Sequence, residues 1–243
     1  MLIFLLGDSI AAGLGVAGCS YADGIEAKMR QARVEAKVVN LAGTANQLSS
    51  SLNRLVEITA SQPEYVIIAH GTTEGIVRPA PESLRFVPAR WRQIGWLDPR
   101  PYFSRRLWKS LYHRAESGIR WRIKVTLIKK YGGHTLTSAE DFERMLTETV
   151  DTLLQQTSAT IILLTHNGID ERFYPGSLFS LSAYQKSILR VAAENRTERV
   201  RVCDISHLLC QWSDFFADHF HPNANGHAKI AEALSQVILS AQK

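Results

Sequence analysis

The chain has 243 residues, 45% of them hydrophobic and 21% charged, with a formal net charge of +5. This size and composition suit a single globular α/β domain, residues 1–243, that carries a large insertion. Because the longest apolar runs are only a few residues long, they exclude a membrane-spanning helix. Cys19, Cys203 and Cys210 are too widely spaced for a disulfide framework or a zinc site, and we interpret them as buried free thiols.

The first apolar run, residues 2–6, is too short for the apolar region of a signal peptide, and no basic region precedes it. We therefore expect a cytoplasmic protein. The run is followed at once by Gly7-Asp8-Ser9, which places a serine at the end of the first predicted strand.

Strand-like and helix-like segments then alternate along the chain. Continuous short apolar runs are typical of strands buried on both faces of a parallel sheet. The alternation predicts a doubly wound α/β sandwich with about five mostly parallel strands. The predicted strands are residues 2–6, 38–41, 65–69, 160–165 and 200–203. The predicted helices are residues 20–33, 48–60, 138–156, 182–194 and 224–239.

One segment, residues 78–133, interrupts this alternation and is predicted to be a basic, Trp-rich, lid-like insertion. Its first half contains five prolines, which predict irregular structure. Its second half, residues 102–131, is predicted to be a partly amphipathic helix with apolar residues at a spacing of four. These apolar residues are Phe103, Leu107, Leu111 and Ala115. The segment also holds four of the five tryptophans, Trp91, Trp96, Trp108 and Trp121.

Positive charge is concentrated in the same segment. Residues 78–130 contain fourteen Lys or Arg and three acids, a net +11, so the rest of the chain carries −6. The bases can face water on a solvated lid whose tryptophans pack on the body. Alternatively, they attract an anionic substrate or a membrane surface to the site. A nucleic-acid partner is not predicted, because no recognised binding module is present.

Polar segments follow all five predicted strands. In open parallel sheets, ligands bind beyond the carboxyl ends of the strands. These ends lead into residues 7–9, 43–45, 70–74, 166–168 and, after a loop, 218–223. Within this set we predict that Asn167 and His70 line the substrate pocket. For His70, a structural hydrogen bond is the alternative.

The two ends of the chain carry the groups needed for nucleophilic catalysis. A serine hydroxyl needs a base to take its proton, and this base is usually a histidine oriented by a carboxylate. Ser9 offers the hydroxyl, and the pair Asp218-x-x-His221 offers the other two groups. A separation of three residues lets the Asp218 carboxylate reach Nδ1 of His221 on one tight turn, which leaves Nε2 for the serine.

Gly-Asp-Ser-Ile at residues 7–10, with Asp-x-x-His-Pro-Asn-x-x-Gly-His at residues 218–227, resembles the SGNH/GDSL hydrolase family. The two motifs bracket nearly the whole chain in the family's order. The resemblance implies a flavodoxin-like, three-layer α/β/α fold. It also implies Ser9 as nucleophile, His221 as general base and Asp218 as the orienting carboxylate. Family members are mostly esterases, lipases and carbohydrate acyl-esterases, and some are acyltransferases.

The resemblance further implies an oxyanion hole with three donors, of which the N–H of Ser9 is one. The second is a backbone N–H after the second strand, where position favours Ala45 and residue type favours Gly43. The third is a family asparagine after the third strand, where this chain has Thr73. Thr73 substitutes imperfectly, or another donor such as His70 or Asn167 replaces it, or the activity is weak or altered.

The leading hypothesis is a serine hydrolase that removes a short acyl group, such as acetyl, from a carbohydrate-like or other polar ester. It works through an acyl-enzyme and requires no metal and no cofactor. The alternatives are an acyltransferase acting on a glycan or lipid-linked sugar, and a weakly active or non-catalytic binding protein on the same fold.

Overall fold

The computed structural model describes residues 1–195 and 197–242. The strands in this part of the chain are β1 (Leu2–Gly7), β2 (Lys37–Asn40), β3 (Tyr65–Ala69), β4 (Arg78–Pro79), β5 (Gly133–His134), β6 (Thr160–Leu164) and β7 (Val200–Cys203). The α-helices are α1 (Tyr21–Gln31), α2 (Leu48–Leu52), α3 (Leu55–Ser61), α4 (Thr72–Gly75), α5 (Leu107–Tyr131), α6 (Ala139–Gln156), α7 (Ser177–Glu194) and α8 (Ala224–Ser240). Two 3₁₀ helices span Pro81–Phe86 and Ala89–Trp91.

The five longer strands form one parallel sheet in the order β2-β1-β3-β6-β7. Numbered by sheet strand alone, this is the order 2-1-3-4-5 of flavodoxin-like folds. The predicted parallel α/β sandwich is therefore confirmed, and each predicted strand agrees with the observed one to within a residue at either end.

Helices cover both faces of the sheet. Alternate side chains of each strand point to opposite faces, so each strand contributes to two cores. In β1, Ile3 and Leu5 join the core formed with α1 and α8. Phe4 and Leu6 join the core formed with α6 and α7 on the other face. Burial on both faces explains why the central strands β1, β3 and β6 are almost continuously apolar.

Three helices differ clearly from their predicted bounds, and one of them, α5, begins at Leu107 rather than at residue 102. The predicted helix over residues 48–60 is broken between α2 and α3, where serines and Asn53 have low helix propensity. α7 begins at Ser177 rather than at residue 182. Its start is capped by the Glu171 carboxylate, which accepts hydrogen bonds from the N–H groups of Gly176 and Leu178 at 2.9 and 2.7 Å.

The basic segment, residues 78–133, leaves the body through β4 and returns through β5, and these two strands pair antiparallel. Its main element is α5, but the predicted apolar stripe does not face the body. Leu107 and Leu111 are exposed, whereas the buried residues of the helix are Ser117, Arg120, Lys124 and Leu127. The inward face of α5 is thus mostly polar, and the apolar residues at a spacing of four lie largely on its solvent side.

Ion pairs explain why the buried face of α5 carries polar and charged side chains. The Lys124 ammonium, only 1% exposed, binds the carboxylate of Asp98. The Glu116 carboxylate bridges Arg100 and Arg120, at 2.7 Å to each. Trp108 is 85% exposed, so the tryptophans do not all pack on the body. No helix in the described part of the chain is both long and apolar enough to cross a membrane.

The cysteines also differ from expectation. Cys203 is buried at the end of β7, and burial raises the pKa of its thiol to about 12. Cys19 and Cys210 are exposed, so the prediction of three buried thiols was wrong for these two. Both lie in loops, where local apolar pattern gives no information on burial.

Candidate active site

A chain of two hydrogen bonds joins the groups at the two ends of the sequence. The Ser9 hydroxyl lies 2.9 Å from Nε2 of His221, and Nδ1 of His221 lies 2.6 Å from Oδ2 of Asp218. Ser9 and Asp218 are almost completely buried, and His221 is partly buried. In such an environment the carboxylate holds the ring in one orientation and stabilises the imidazolium that forms when the ring takes a proton.

Ser9 is delivered by the turn that ends β1. A Cβ on Gly7 would lie 2.4 Å from the Cβ of Ala11, so only glycine fits where the chain leaves the sheet. The next residue, Asp8, accepts a hydrogen bond from the N–H of Ile10 at 2.9 Å. This contact closes an Asx turn around Ser9 and holds the hydroxyl at the carboxyl edge of the sheet.

The histidine is held by an equally local turn. Oδ1 of Asp218 accepts hydrogen bonds from the N–H groups of Phe220 and His221, both at 3.1 Å, while Oδ2 binds the ring. His219, between them, has a positive φ of 54°. Its ring stacks on Phe173 at 5.0 Å and points to that aromatic neighbour rather than to Ser9. The spacing Asp-x-x-His thus allows one carboxylate to fix both the turn and the imidazole.

Ser9 and His221 open into a cavity of about 180 Å³. Ala45 and Thr73, two of the predicted oxyanion donors, line this cavity, and Gly43 is not among its lining residues. The cavity brings together the ends of β1, β2 and β3 and the turn before α8.

The two backbone candidates for the oxyanion site differ in their hydrogen bonds. The N–H of Gly43 donates to the carbonyl of Gly7 at 3.2 Å, so it is already engaged. Within residues 1–195 and 197–242, neither the N–H of Ala45 nor that of Ser9 has an acceptor. Ala45 has a φ of 57°, a left-handed conformation that is costly for a residue with a Cβ. This geometry favours Ala45 over Gly43 as the second donor.

Thr73 lines the cavity, but its hydroxyl is engaged. It donates a hydrogen bond of 2.8 Å to Oδ2 of Asp8. Asp8 is buried, and burial raises the pKa of its carboxyl, while the hydrogen bonds from Thr73 and Ile10 lower it in part. The Thr73 hydroxyl is therefore bound to the carboxylate that precedes Ser9 and is not free to donate into the cavity.

His70 lies away from the Ser9 cavity and has a structural partner. Its Nε2 is 2.8 Å from the Ser51 hydroxyl, and its Nδ1 is 3.5 Å from Glu74, longer than an ordinary hydrogen bond. Burial would raise the pKa of Glu74, but His70 and the N–H of Leu48 lower it overall. The structure thus matches the alternative of a structural hydrogen bond, and His70 is not brought to the substrate cavity.

Asn167 is not brought to the Ser9 cavity either. Together with His70, His166 and Asp8 it lines a separate small cavity of about 20 Å³ behind the nucleophile turn. Burial lowers the pKa of His166 to about 4, so this ring is neutral near pH 7. Neither Asn167 nor His70 can replace the missing asparagine in this arrangement.

Among the cavity-wall residues that the sequence did not identify, three carry an ionisable side chain: Arg78, Asp98 and Tyr174. Arg78 donates through Nη1 to the carbonyls of Thr73 and Ile76, both at 2.9 Å. Arg78 follows β3 with only the short helix α4 between them, and this position was the available signal. Asp98 and Tyr174 come from segments with no motif. In the described residues, no group of three or more His, Cys, Asp or Glu could hold a metal ion.

Comparison with known proteins agrees with this geometry. The sequence profile of the GDSL-like Lipase/Acylhydrolase family matches residues 5–229, from β1 into α8. The chain belongs to this family. The resemblance drawn from the two terminal motifs is therefore confirmed, and membership makes the chain a hydrolase that acts on esters. No curated protein matches the chain in sequence.

Solved structures share the fold over almost the whole chain. TesA is 14% identical, with a TM-score of 0.62 and 99% of both chains covered. The psychrotrophic esterase EstA from Pseudoalteromonas sp. is 14% identical, with a TM-score of 0.61, covering 98% of this chain and 97% of EstA. A catalytic mutant of Axe2, an acetylxylan esterase from Geobacillus stearothermophilus, is 18% identical, with a TM-score of 0.63, covering 98% and 93%.

Proposed function

We propose that this protein is a serine hydrolase that removes a short acyl group from a carbohydrate-like or other polar ester through an acyl-enzyme. The observation that carries the proposal is the hydrogen-bonded chain from Ser9 through His221 to Asp218, open to a cavity. The cavity, at about 180 Å³, suits a small acyl group rather than a long fatty chain. The acetylxylan esterase among the similar structures is an example of such an activity on this fold.

In the acylation step, His221 Nε2 takes the proton of the Ser9 hydroxyl as Oγ attacks the ester carbonyl. Asp218 keeps Nδ1 protonated and stabilises the imidazolium. The unengaged N–H groups of Ser9 and Ala45 donate to the oxyanion of the tetrahedral intermediate. His221 then protonates the leaving alcohol, and the acyl group remains on Ser9.

In the deacylation step, water enters the position of the departed alcohol. His221 takes a proton from this water, and the resulting hydroxide attacks the acyl carbonyl. The second tetrahedral intermediate uses the same two N–H donors. Its collapse returns the proton to Ser9 and releases the carboxylic acid.

The proposal is tested by Ser9→Ala with p-nitrophenyl acetate and with a fluorophosphonate probe. The variant is expected to lose at least about a thousandfold in kcat/KM and all labelling, because no other group replaces the nucleophile. The exposed Ser50→Ala variant is the matched control and is expected to behave as wild type. Full turnover by Ser9→Ala would exclude the assignment.

An acyltransferase is the second candidate, because a further cavity adjoins the Ser9 cavity and could hold an acceptor. Incubation with an acyl donor and candidate glycan acceptors separates the two functions. More transferred product than free acid favours the transferase. Absence of both turnover and Ser9 labelling favours a non-catalytic binding protein.

A further inference from the structure

A second cavity, of about 120 Å³, lies beside the Ser9 cavity. The two share one wall, formed by Arg78, Ile94, Gly95 and Asp98. A substrate with its ester at Ser9 can therefore extend across this wall. What the second cavity offers to such a substrate follows from its other lining residues.

The charges that line the second cavity are mostly positive. The lining holds three bases, Arg78, Arg92 and Lys124, and one carboxylate, that of Asp98. This carboxylate is already paired with Lys124. Arg78 and Arg92 donate to backbone carbonyls, and neither has a carboxylate within 4.0 Å in the described residues. Two guanidinium groups in one cleft thus have no direct ion-pair partner among the described residues.

Nitrogen atoms without partners lie in the same place. Nε of Arg78, Nε1 of Trp91 and Nδ1 of His134 are buried and have no hydrogen-bond partner in the described part of the chain. Such groups are costly to bury without an acceptor. Arg78 and His134 are neighbours because they pair across β4 and β5, so the hairpin fixes their spacing.

We propose that this second cavity binds an anionic group of the ester substrate, a phosphate or a carboxylate. The proposal rests on the function proposed above and names the substrate class. Oxyanions accept several hydrogen bonds at once, and guanidinium groups match their geometry. The preferred substrate is then an acylated compound that carries negative charge on the side of the molecule away from the acyl group.

The test compares 4-acetoxybenzenesulfonate with its neutral analogue 4-acetoxybenzenesulfonamide. We expect Arg92→Gln to lower kcat/KM for the sulfonate about tenfold more than for the sulfonamide, because one charge-assisted contact is lost. Arg90→Gln, an exposed base of the same segment that does not line the cavity, is expected to change neither value. Equal effects of Arg92→Gln on both esters would overturn the proposal.

A binding measurement separates this inference from the proposed function. Inorganic phosphate is titrated calorimetrically into Ser9→Ala and into Ser9→Ala with Arg92→Gln. Binding that weakens about tenfold in the double variant supports the site, whether or not either ester is hydrolysed. No phosphate binding by Ser9→Ala at low salt contradicts it. If wild type binds phosphate but hydrolyses no ester, the result contradicts the proposed hydrolase function and leaves the anion site supported.

An independent observation concerns the amino-terminal half of α5, residues 107–119. Its large apolar side chains are exposed and repeat at helical spacing, so they form one stripe on the solvent side. The stripe consists of Leu107, Trp108, Leu111, Tyr112 and Ile119. Exposed bases surround it: Arg105, Arg106, Lys109, Arg114 and Arg122. The acid of this half, Glu116, is paired with Arg100 and Arg120.

We propose that this apolar stripe docks on an anionic membrane surface. Aromatic and leucine side chains enter the boundary between head groups and acyl chains, and the surrounding bases bind anionic head groups. Charge complementarity favours this occupant over a second copy of the chain, because two such basic faces would repel each other.

Co-sedimentation with vesicles tests the docking surface. Wild type is expected to bind vesicles of phosphatidylcholine with 30% phosphatidylglycerol, and to lose about tenfold in binding at 0.5 M salt or on pure phosphatidylcholine. Trp108→Ser with Leu111→Ser is expected to abolish binding. Phe179→Ser, an equally exposed side chain on α7, is the control and is expected to retain it. A dimer in solution with no vesicle binding would overturn the proposal.

Discussion

The hydroxyl of Thr73 donates a hydrogen bond of 2.8 Å to the buried carboxylate of Asp8, the residue that precedes the nucleophile. This bond ties the turn after β3 to the turn after β1. The Thr73 hydroxyl therefore helps to hold the turn that carries Ser9 and is not free to donate to an oxyanion beside it.

Thr73→Val keeps the shape of the side chain and removes the hydroxyl. Asp8 then loses one of its two donors in a buried position, and we expect about 1–3 kcal/mol of destabilisation. Activity should also fall, because the Ser9 turn is less well held. Thr73→Ser retains the donor and should stay within about 1 kcal/mol of wild type. Denaturant unfolding and kcat/KM measure both effects, and equal behaviour of the two variants would contradict this role.

Asp218→Asn is expected to lower kcat by about 10⁴ while the fold persists. The amide can still accept from the turn N–H groups, but it cannot hold His221 in the tautomer that leaves Nε2 free to take a proton. Asp204→Asn is the control, since Asp204 also follows a strand but binds Thr165 and the N–H of Ser206 instead. The pair is compared by steady-state kinetics and by thermal unfolding.

Ala45→Gly tests the left-handed turn. Relief of the backbone strain, about 1–2 kcal/mol, is offset by the greater freedom of glycine in the unfolded chain. Stability should change by less than about 1 kcal/mol and kcat/KM by less than about threefold. Ala45→Val should lower both, because a β-branched residue resists positive φ. If Gly43→Ala lowers kcat/KM more than Ala45→Val does, Gly43 is the donor.

Stability is expected to fall as the pH drops from 6.5 to 4. Burial lowers the pKa of His227 to about 4, and its Nδ1 accepts a hydrogen bond from the N–H of Tyr21 at 3.1 Å, which requires the neutral ring. In the unfolded chain a histidine has a pKa of about 6.5, so below this value the unfolded state binds the extra proton. At pH 4 the loss is about 3 kcal/mol for this residue.

His227→Asn checks this pH dependence, because Oδ1 of asparagine can replace Nδ1 as acceptor and does not titrate. The difference in unfolding free energy between pH 7 and pH 4 should shrink by about 3 kcal/mol. His207→Asn, at an exposed loop position, should leave the difference unchanged. If His227→Asn retains the full wild-type difference in unfolding free energy between pH 7 and pH 4, His227 is not the source of that difference.

Much of the fold follows from local pattern. Strands such as β1 and β3 are buried on both faces, so their sequences are continuously apolar and recognisable. Because the carboxyl ends of parallel strands meet at one edge of the sheet, the sequence predicts that Ser9 lies close to Asp218 and His221. The spacing of that pair is itself local, since one turn carries both residues.

The residue pattern alone specifies the sheet, its carboxyl edge and the three groups on that edge. How the remaining polar groups are used depends on the folded arrangement. The Gly7 carbonyl engages the N–H of Gly43, and Asp8 engages Thr73, through contacts between residues far apart in sequence. The ion pair with Asp98 holds Lys124 on the buried side of α5, whereas Trp108 of the same helix is exposed to solvent. Hydrogen bonds and buried ion pairs depend on which residues are neighbours in space. The pattern of polar residues along the chain therefore does not predict which partners they will have.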